Sequence, residues 1–162
     1  MSKTSTLQVH IWPQHGNMVG HASLSFGTAY VSFWPDGEAD KKDLKLKTTH
    51  PGYMVSSLGD DIRNEGNRQP ITVTIRDINI KNLSDFISKL RSNTPRYQIA
   101  RYNCSHVVAE CLKAACEDAP SFKPTAHGYY GKFGELLGRG IWTPYGVLRY
   151  AKELSARHRV RL

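Results

Sequence analysis

The chain has 162 residues, 40% of them hydrophobic and 22% charged, with 22 Lys and Arg against 14 Asp and Glu for a formal charge of +8. That length supports one domain over 1–162 with a core of its own, and the composition lies far from the polar, highly charged make-up of chains that stay disordered. It argues against a solenoid or a coiled coil, and no run approaches the roughly 20 apolar residues that cross a bilayer, so no integral membrane segment is expected.

The opening MSKTSTLQVHIW has no basic-then-apolar secretory signal, which points to synthesis in the cytoplasm. Thr6–Trp12 alternates Leu7, Val9 and Ile11 with Gln8 and His10, the period of a half-buried strand, and Pro13 stops it. Beyond Gly16 and Gly20, His21–Phe26 and Ala29–Trp34 flank Gly27-Thr28 and predict a hairpin. Gly at the first loop position suits a type II′ turn, a register that sets Phe26 opposite Ala29, Ser23 opposite Ser32 and His21 opposite Trp34. One face then carries Leu24, Phe26, Val31 and Phe33. The other carries His21, Ser23, Ser25, Tyr30, Ser32 and Trp34, unusually polar for paired strands and therefore a candidate working face.

Residues 36–69 are polar and too long for an ordinary connection, so they hold a small element or form a functional loop near a site. Ile71, Val73 and Ile75 mark a strand over 70–76. Asn79 or Asn82 caps a helix running to about 92, with Leu83, Phe86, Ile87 and Leu90 on one face. A second helix starts at Asn103 or Cys104 and runs to 116, its stripe traced by Cys104, Val107, Val108, Cys111, Leu112 and Ala115. Residues 126–142 are Gly-rich and aromatic and read as loop. Thr143-Pro144 opens a last helix to about 155, with Val147, Leu148, Ala151 and Leu154 inward.

Cys104, Cys111 and Cys116 are an odd number in one short segment with no C-x-x-C pair, which fits a reducing compartment or a reactive thiol better than a disulfide framework. Cys104 and Cys111 would lie about 10.5 Å apart along one helix, beyond disulfide reach. Cys104 falls in a first helical turn, where unpaired N–H groups and the helix dipole favour a thiolate and can also donate to the oxyanion formed when it attacks an acyl carbon. Such a nucleophile needs an imidazole as base. His106 sits roughly 200° round the helix from Cys104 and points away. His21, on the polar face of the hairpin, is the better partner.

The plain alternatives stay open. A cysteine on an apolar stripe is most often an inert small hydrophobe, and a histidine at a strand start most often structural. Zinc binding by Cys104, His106 and Cys111 is disfavoured because their directions diverge, so neither metal nor cofactor is expected. The basic charge is scattered except for Arg149, Lys152, Arg157, Arg159 and Arg161, which read as a solvated tail or as an attraction to anionic partners. No zinc-finger spacing or aromatic strand motif supports a nucleic-acid partner.

Val19-Gly20-His21-Ala22-Ser23-Leu24 before a hairpin, with Tyr102-Asn103-Cys104-Ser105-His106-Val107-Val108 opening a helix, resembles the circularly permuted papain-like cysteine hydrolases. That superfamily includes permuted NlpC-like peptidases, PPPDE-type peptidases and lecithin:retinol acyltransferase-like enzymes. In its permuted members the histidine precedes the cysteine, as His21 precedes Cys104. The resemblance covers about residues 6–115. It implies an α+β, permuted papain-like fold in which a small antiparallel sheet packs against a helix carrying the nucleophilic cysteine at its N-terminus.

It further implies Cys104 as nucleophile, His21 as base and a third polar residue on the neighbouring strand. That strand offers Tyr30 and Ser32 where the family usually has Asn, Gln, Asp or His, and Ser32 is the choice. Trp34, Tyr102 and Trp142 would then wall the cleft or belong to the core. The activity implied is a peptidase or amidase acting on peptide, peptidoglycan or protein through a thioester. A lipid hydrolase or acyltransferase with the same dyad, and a binding module without catalysis, are the alternatives. The small basic domain with its Thr-Pro-led last helix is also similar to type VI secretion effector toxins, which implies signal-independent delivery into a target cell and a cognate immunity protein.

Overall fold

Leu7, Val9 and Ile11 leave one side of a strand and organise everything else. In the computed structural model, which describes residues 5–14, 20–35, 52–94, 103–124 and 141–160, that strand is β1 (Thr6–Trp12). It lies between β2 (His21–Phe26) and β6 (Ile71–Arg76), with β3 (Ala29–Val31) outside β2, so the antiparallel sheet runs β3-β2-β1-β6. The odd positions of β1 join Ala22, Leu24, Val31 and Ile75 in a single core. Three helices close that face: α2 (Ile80–Ser92), α3 (Cys104–Cys116) and α4 (Pro144–Val160). Leu83, Ile87, Val107, Val108, Leu112, Val147, Ala151 and Leu154 supply their inner stripes. Each Leu, Ile or Val side chain so buried contributes about 1.5–3 kcal/mol of transfer free energy.

The architecture is therefore α+β, a small four-stranded antiparallel sheet with its three long helices packed on one side. α3 packs on β2, on α2 and on α4, while α4 covers β6 and β1. Among the described residues, no helix is long and apolar enough to cross a membrane.

Caps fix the helix starts. Asn79 Oδ1 accepts from the Asn82 N–H at 3.0 Å, Asn103 Oδ1 from the His106 N–H at 2.8 Å, and Thr143 Oγ1 from the Gly146 N–H at 3.1 Å. α2 thus starts from Asn79, the earlier of its two expected caps, and α4 continues to Val160 rather than 155. Of the expected loop over 126–142, residues 126–140 lie outside the described residues, and Ile141 and Trp142 are buried without regular structure.

The hairpin departs from its prediction halfway. Gly27 takes φ 57° and Phe26 pairs with Ala29, as a type II′ turn requires. The ladder then stops at Leu24 and Val31, so Ser23–Ser32 and His21–Trp34 are not ladder pairs. Ser32 is the pivot: its carbonyl accepts from the Val55 N–H at 2.8 Å, and the following strand β4 (Phe33–Pro35) pairs with β5 (Gly52–Met54) in a second, two-stranded sheet. The polar stretch over 36–69 thus holds β5 and a short helix, α1 (Leu58–Asn64), whose cap Ser57 accepts from the Asp60 N–H at 3.2 Å.

Candidate active site

The polar face of the hairpin is not an open surface. His21, Ser23 and Ser32 are all fully buried, and α1 contributes a carboxylate, Asp61, that is buried as well. Position begins with Gly20, which takes φ 84° and lies so close to β1 that a Cβ there would stand 2.3 Å from the Trp12 carbonyl oxygen. Only glycine satisfies both demands, and it delivers the next residue, His21, into register opposite Trp12.

The His21 ring lies among aromatic side chains, 5.6 Å from Trp12 and 4.7 Å from Trp34 between centroids. Its Nε2 is 2.8 Å from Ser32 Oγ and 3.4 Å from Asp61 Oδ2. Asp61 in turn accepts from Trp34 Nε1 through Oδ1 at 2.8 Å and from the Tyr30 hydroxyl through Oδ2. The Trp34 N–H also lies 3.1 Å from Ser32 Oγ. Burial by itself would raise the Asp61 carboxyl, but the bond and charge of His21, with the hydroxyls of Ser32 and Tyr30, outweigh it and hold Asp61 well below the ordinary carboxylate range. Asp61 is ionised at neutral pH and aimed at an imidazole.

Ser32, expected beside His21, is there. Asp61 was not foreseen. Its signal in the sequence is the cap pattern Ser57-x-x-Asp60 opening α1, but seven residues are too few for a periodicity that would tell which of Asp60 and Asp61 turns inward. Asp60 faces out and pairs with Arg63.

Cys104 is the first residue of α3 and is 1% exposed. Its cap Asn103 works in two directions, accepting from the His106 N–H and donating through Nδ2 to the Trp142 carbonyl at 2.9 Å. The N–H groups of Cys104 and Ser105 have no acceptor within the helix, so that end of α3 carries the donors and positive potential that a thiolate or an oxyanion uses. Cys104 Sγ lies 3.9 Å from Ser105 Oγ. α3 packs against β2 and β4, the strands of His21 and Trp34.

His106 points elsewhere, with Nε2 3.7 Å from Glu110 Oε1 one turn along. Cys111 is fully buried and burial pushes its thiol far up, while none of Cys104, Cys111 and Cys116 is in a disulfide. Of the three aromatic candidates, Trp34 belongs to the cluster. Trp142 is a core residue stacked on Tyr150 at 5.6 Å, and Tyr102 lies outside the described residues. The described residues contain no group of three His, Cys, Asp or Glu able to hold a metal.

One further histidine occupies the same side of the sheet. His10 is buried on β1 with Nδ1 3.0 Å from Thr72 Oγ1 and Nε2 2.8 Å from Ser25 Oγ. Its pKa is lowered by burial, against the opposing charge of Asp61, so it is held neutral as a structural bridge between β2 and β6.

Residues 45–161 match the family model of the IcsB middle domain. The matched stretch contains Asp61 and Cys104 and begins after His21 and Ser32. No curated protein and no solved structure matches the chain.

Proposed function

Taking as premise that this chain belongs to the IcsB middle domain family, we propose that it is a cysteine hydrolase of amide bonds with a permuted papain-like fold. The observation that carries the reading is a buried imidazole held by a hydroxyl and an ionised carboxylate, on a strand packed against the helix that begins with a cysteine. A carboxylate, a histidine and a helix-terminal thiol are the parts that nucleophilic acyl chemistry needs.

In this scheme His21 takes the proton from the Cys104 thiol as the sulfur attacks the carbonyl carbon of the substrate. The N–H groups at the start of α3 donate to the oxyanion. Collapse expels the amine, which leaves with the proton from His21, and a thioester remains on Cys104. Water then gives a proton to His21 and attacks the thioester, releasing the carboxylic acid and restoring the thiol. Asp61 and Ser32, both at Nε2, fix the ring so that its other nitrogen, Nδ1, is the one that exchanges protons. Peptide, protein or peptidoglycan amides are the substrates, and delivery into a target cell, with an immunity protein as counterpart, belongs to the same proposal.

A second reading, acyl transfer, is favoured by one specific fact: Cys104 and His21 are 1% and 0% exposed. A thioester kept from bulk water lasts long enough for an incoming amine or alcohol to compete. Acylation with an activated ester tests both. The native chain should gain the acyl mass on the peptide containing Cys104. Cys104→Ala should gain none there, and His21→Ala should acylate roughly 10²–10⁴-fold more slowly. Free acid as the product marks the hydrolase, acylated amine marks the transferase, and equal labelling of Cys104 and Cys116 in the native chain rejects both.

A further inference from the structure

Asp61 Oδ2 receives two neighbours at once, the imidazole Nε2 of His21 and the hydroxyl of Tyr30, while Oδ1 is taken by Trp34. The Tyr30 hydroxyl has one proton. It is also 2.7 Å from Ser23 Oγ, but an ionised carboxylate can only accept, so the phenol gives its proton to Asp61 and Ser23 donates to the phenol oxygen. We infer that Tyr30 and Trp34 are positioning residues: Trp34 anchors the carboxylate through Oδ1, and Tyr30 shares the oxygen that faces His21 and so limits the negative charge presented to the imidazole.

The inference rests on the role proposed for His21 as base. Charge drawn toward the phenol is charge that does not stabilise the imidazolium, so Tyr30 restrains the basicity of His21. Tyr30 is suited to this as a lasting donor, because burial and its bond to Asp61 hold its proton far above the usual phenol range. Among the described residues, Asp61 on α1 lies 3.4 Å from the imidazole and Tyr30 on β3 acts through it, while His10 on β1 lies 6.3 Å from the Tyr30 ring and Cys104 begins the helix packed against β2. Of these, Asp61 and Tyr30 are in direct bonding contact with each other.

The test follows the His21 ring nitrogens by NMR from pH 4 to 10. Tyr30→Phe removes the competing donor and should move the His21 midpoint upward by about half a unit or more. Placing 3-fluorotyrosine at position 30 keeps the shape and strengthens the donor, so the midpoint should move down; this also serves if the Phe variant fails to fold. Trp34→Phe should broaden the His21–Asp61 geometry and lower the midpoint, since the carboxylate is no longer anchored. Coincident native, Phe and fluorotyrosine curves, or shifts of opposite sign, overturn the inference. Iodoacetamide alkylation of Cys104, followed over the same pH range, separates it from the reading it rests on. If the His21 curve shifts and alkylation does not follow, the Cys104–His21 pair is refuted and the tuning by Tyr30 stands.

Discussion

Asp61 shows how much one side chain can carry. Its folded pKa is depressed below the ordinary 3.8, so its contribution to stability is complete above about pH 4 and is lost as pH falls toward the folded value. Asp61→Asn should therefore destabilise the protein by about 3 kcal/mol at pH 7, because His21, Tyr30 and Trp34 lose a charged acceptor, and should flatten the acid limb below pH 4. Urea unfolding at pH 7, 4 and 3 measures both. His10 acts in a different window. Its pKa is lowered from 6.5, so the unfolded chain binds the extra proton first and stability falls as pH drops below about 6.5. His10→Gln should flatten the curve between pH 7 and 5 without touching the limb below 4. His106, also lowered by burial, contributes with the same sign and keeps that flattening partial.

At the scale of the element, the start of β2 and the start of α3 decide whether the proposed chemistry can be assembled. Gly20→Ala adds a methyl group where 2.3 Å separates it from the Trp12 carbonyl, in a backbone region that L residues avoid. The strand must shift, and His21 with it. A loss of at least about 2 kcal/mol in unfolding free energy is expected, with thiol reactivity falling in the molecules that still fold. Asn103 ties α3 to the residue that precedes the cap of α4. Asn103→Asp keeps the cap on the His106 N–H but leaves the Trp142 carbonyl without its amide donor, whereas Asn103→Ala loses both. The alanine variant should be about 1 kcal/mol less stable than the aspartate variant if capping is its main added loss, as thermal unfolding of the pair would show.

For the molecule as a whole, the proposed activity makes a prediction about place. Native chain and Cys104→Ala, each produced in the bacterial cytoplasm and each exported to the periplasm, should differ in toxicity in one compartment. Harm confined to the periplasm identifies the cell wall as target, and harm confined to the cytoplasm identifies a protein or lipid there. Equal growth in all four cultures removes the effector proposal. The sheet and the three long helices were legible because Leu7, Val9 and Ile11 alternate and because Cys104, Val107, Val108 and Cys111 recur at helical spacing. His21 and Ser32 were legible as neighbours, although the ladder pairs expected there, Ser23–Ser32 and His21–Trp34, do not form, since Ser32 answers to Val55, a partner no local pattern names. Asp61 escaped because a seven-residue helix has no periodicity to read and its inward turn is set by Tyr30, Trp34 and His21 from three other segments. The three sulfurs also differ in a way that turns the protein into its own gauge: Cys111 is sealed, Cys116 is partly accessible and Cys104 is shielded at 1% exposure. With Cys116 replaced by serine, the pace at which a bulky maleimide reaches position 104 becomes a clock for how often the start of α3 opens to solvent.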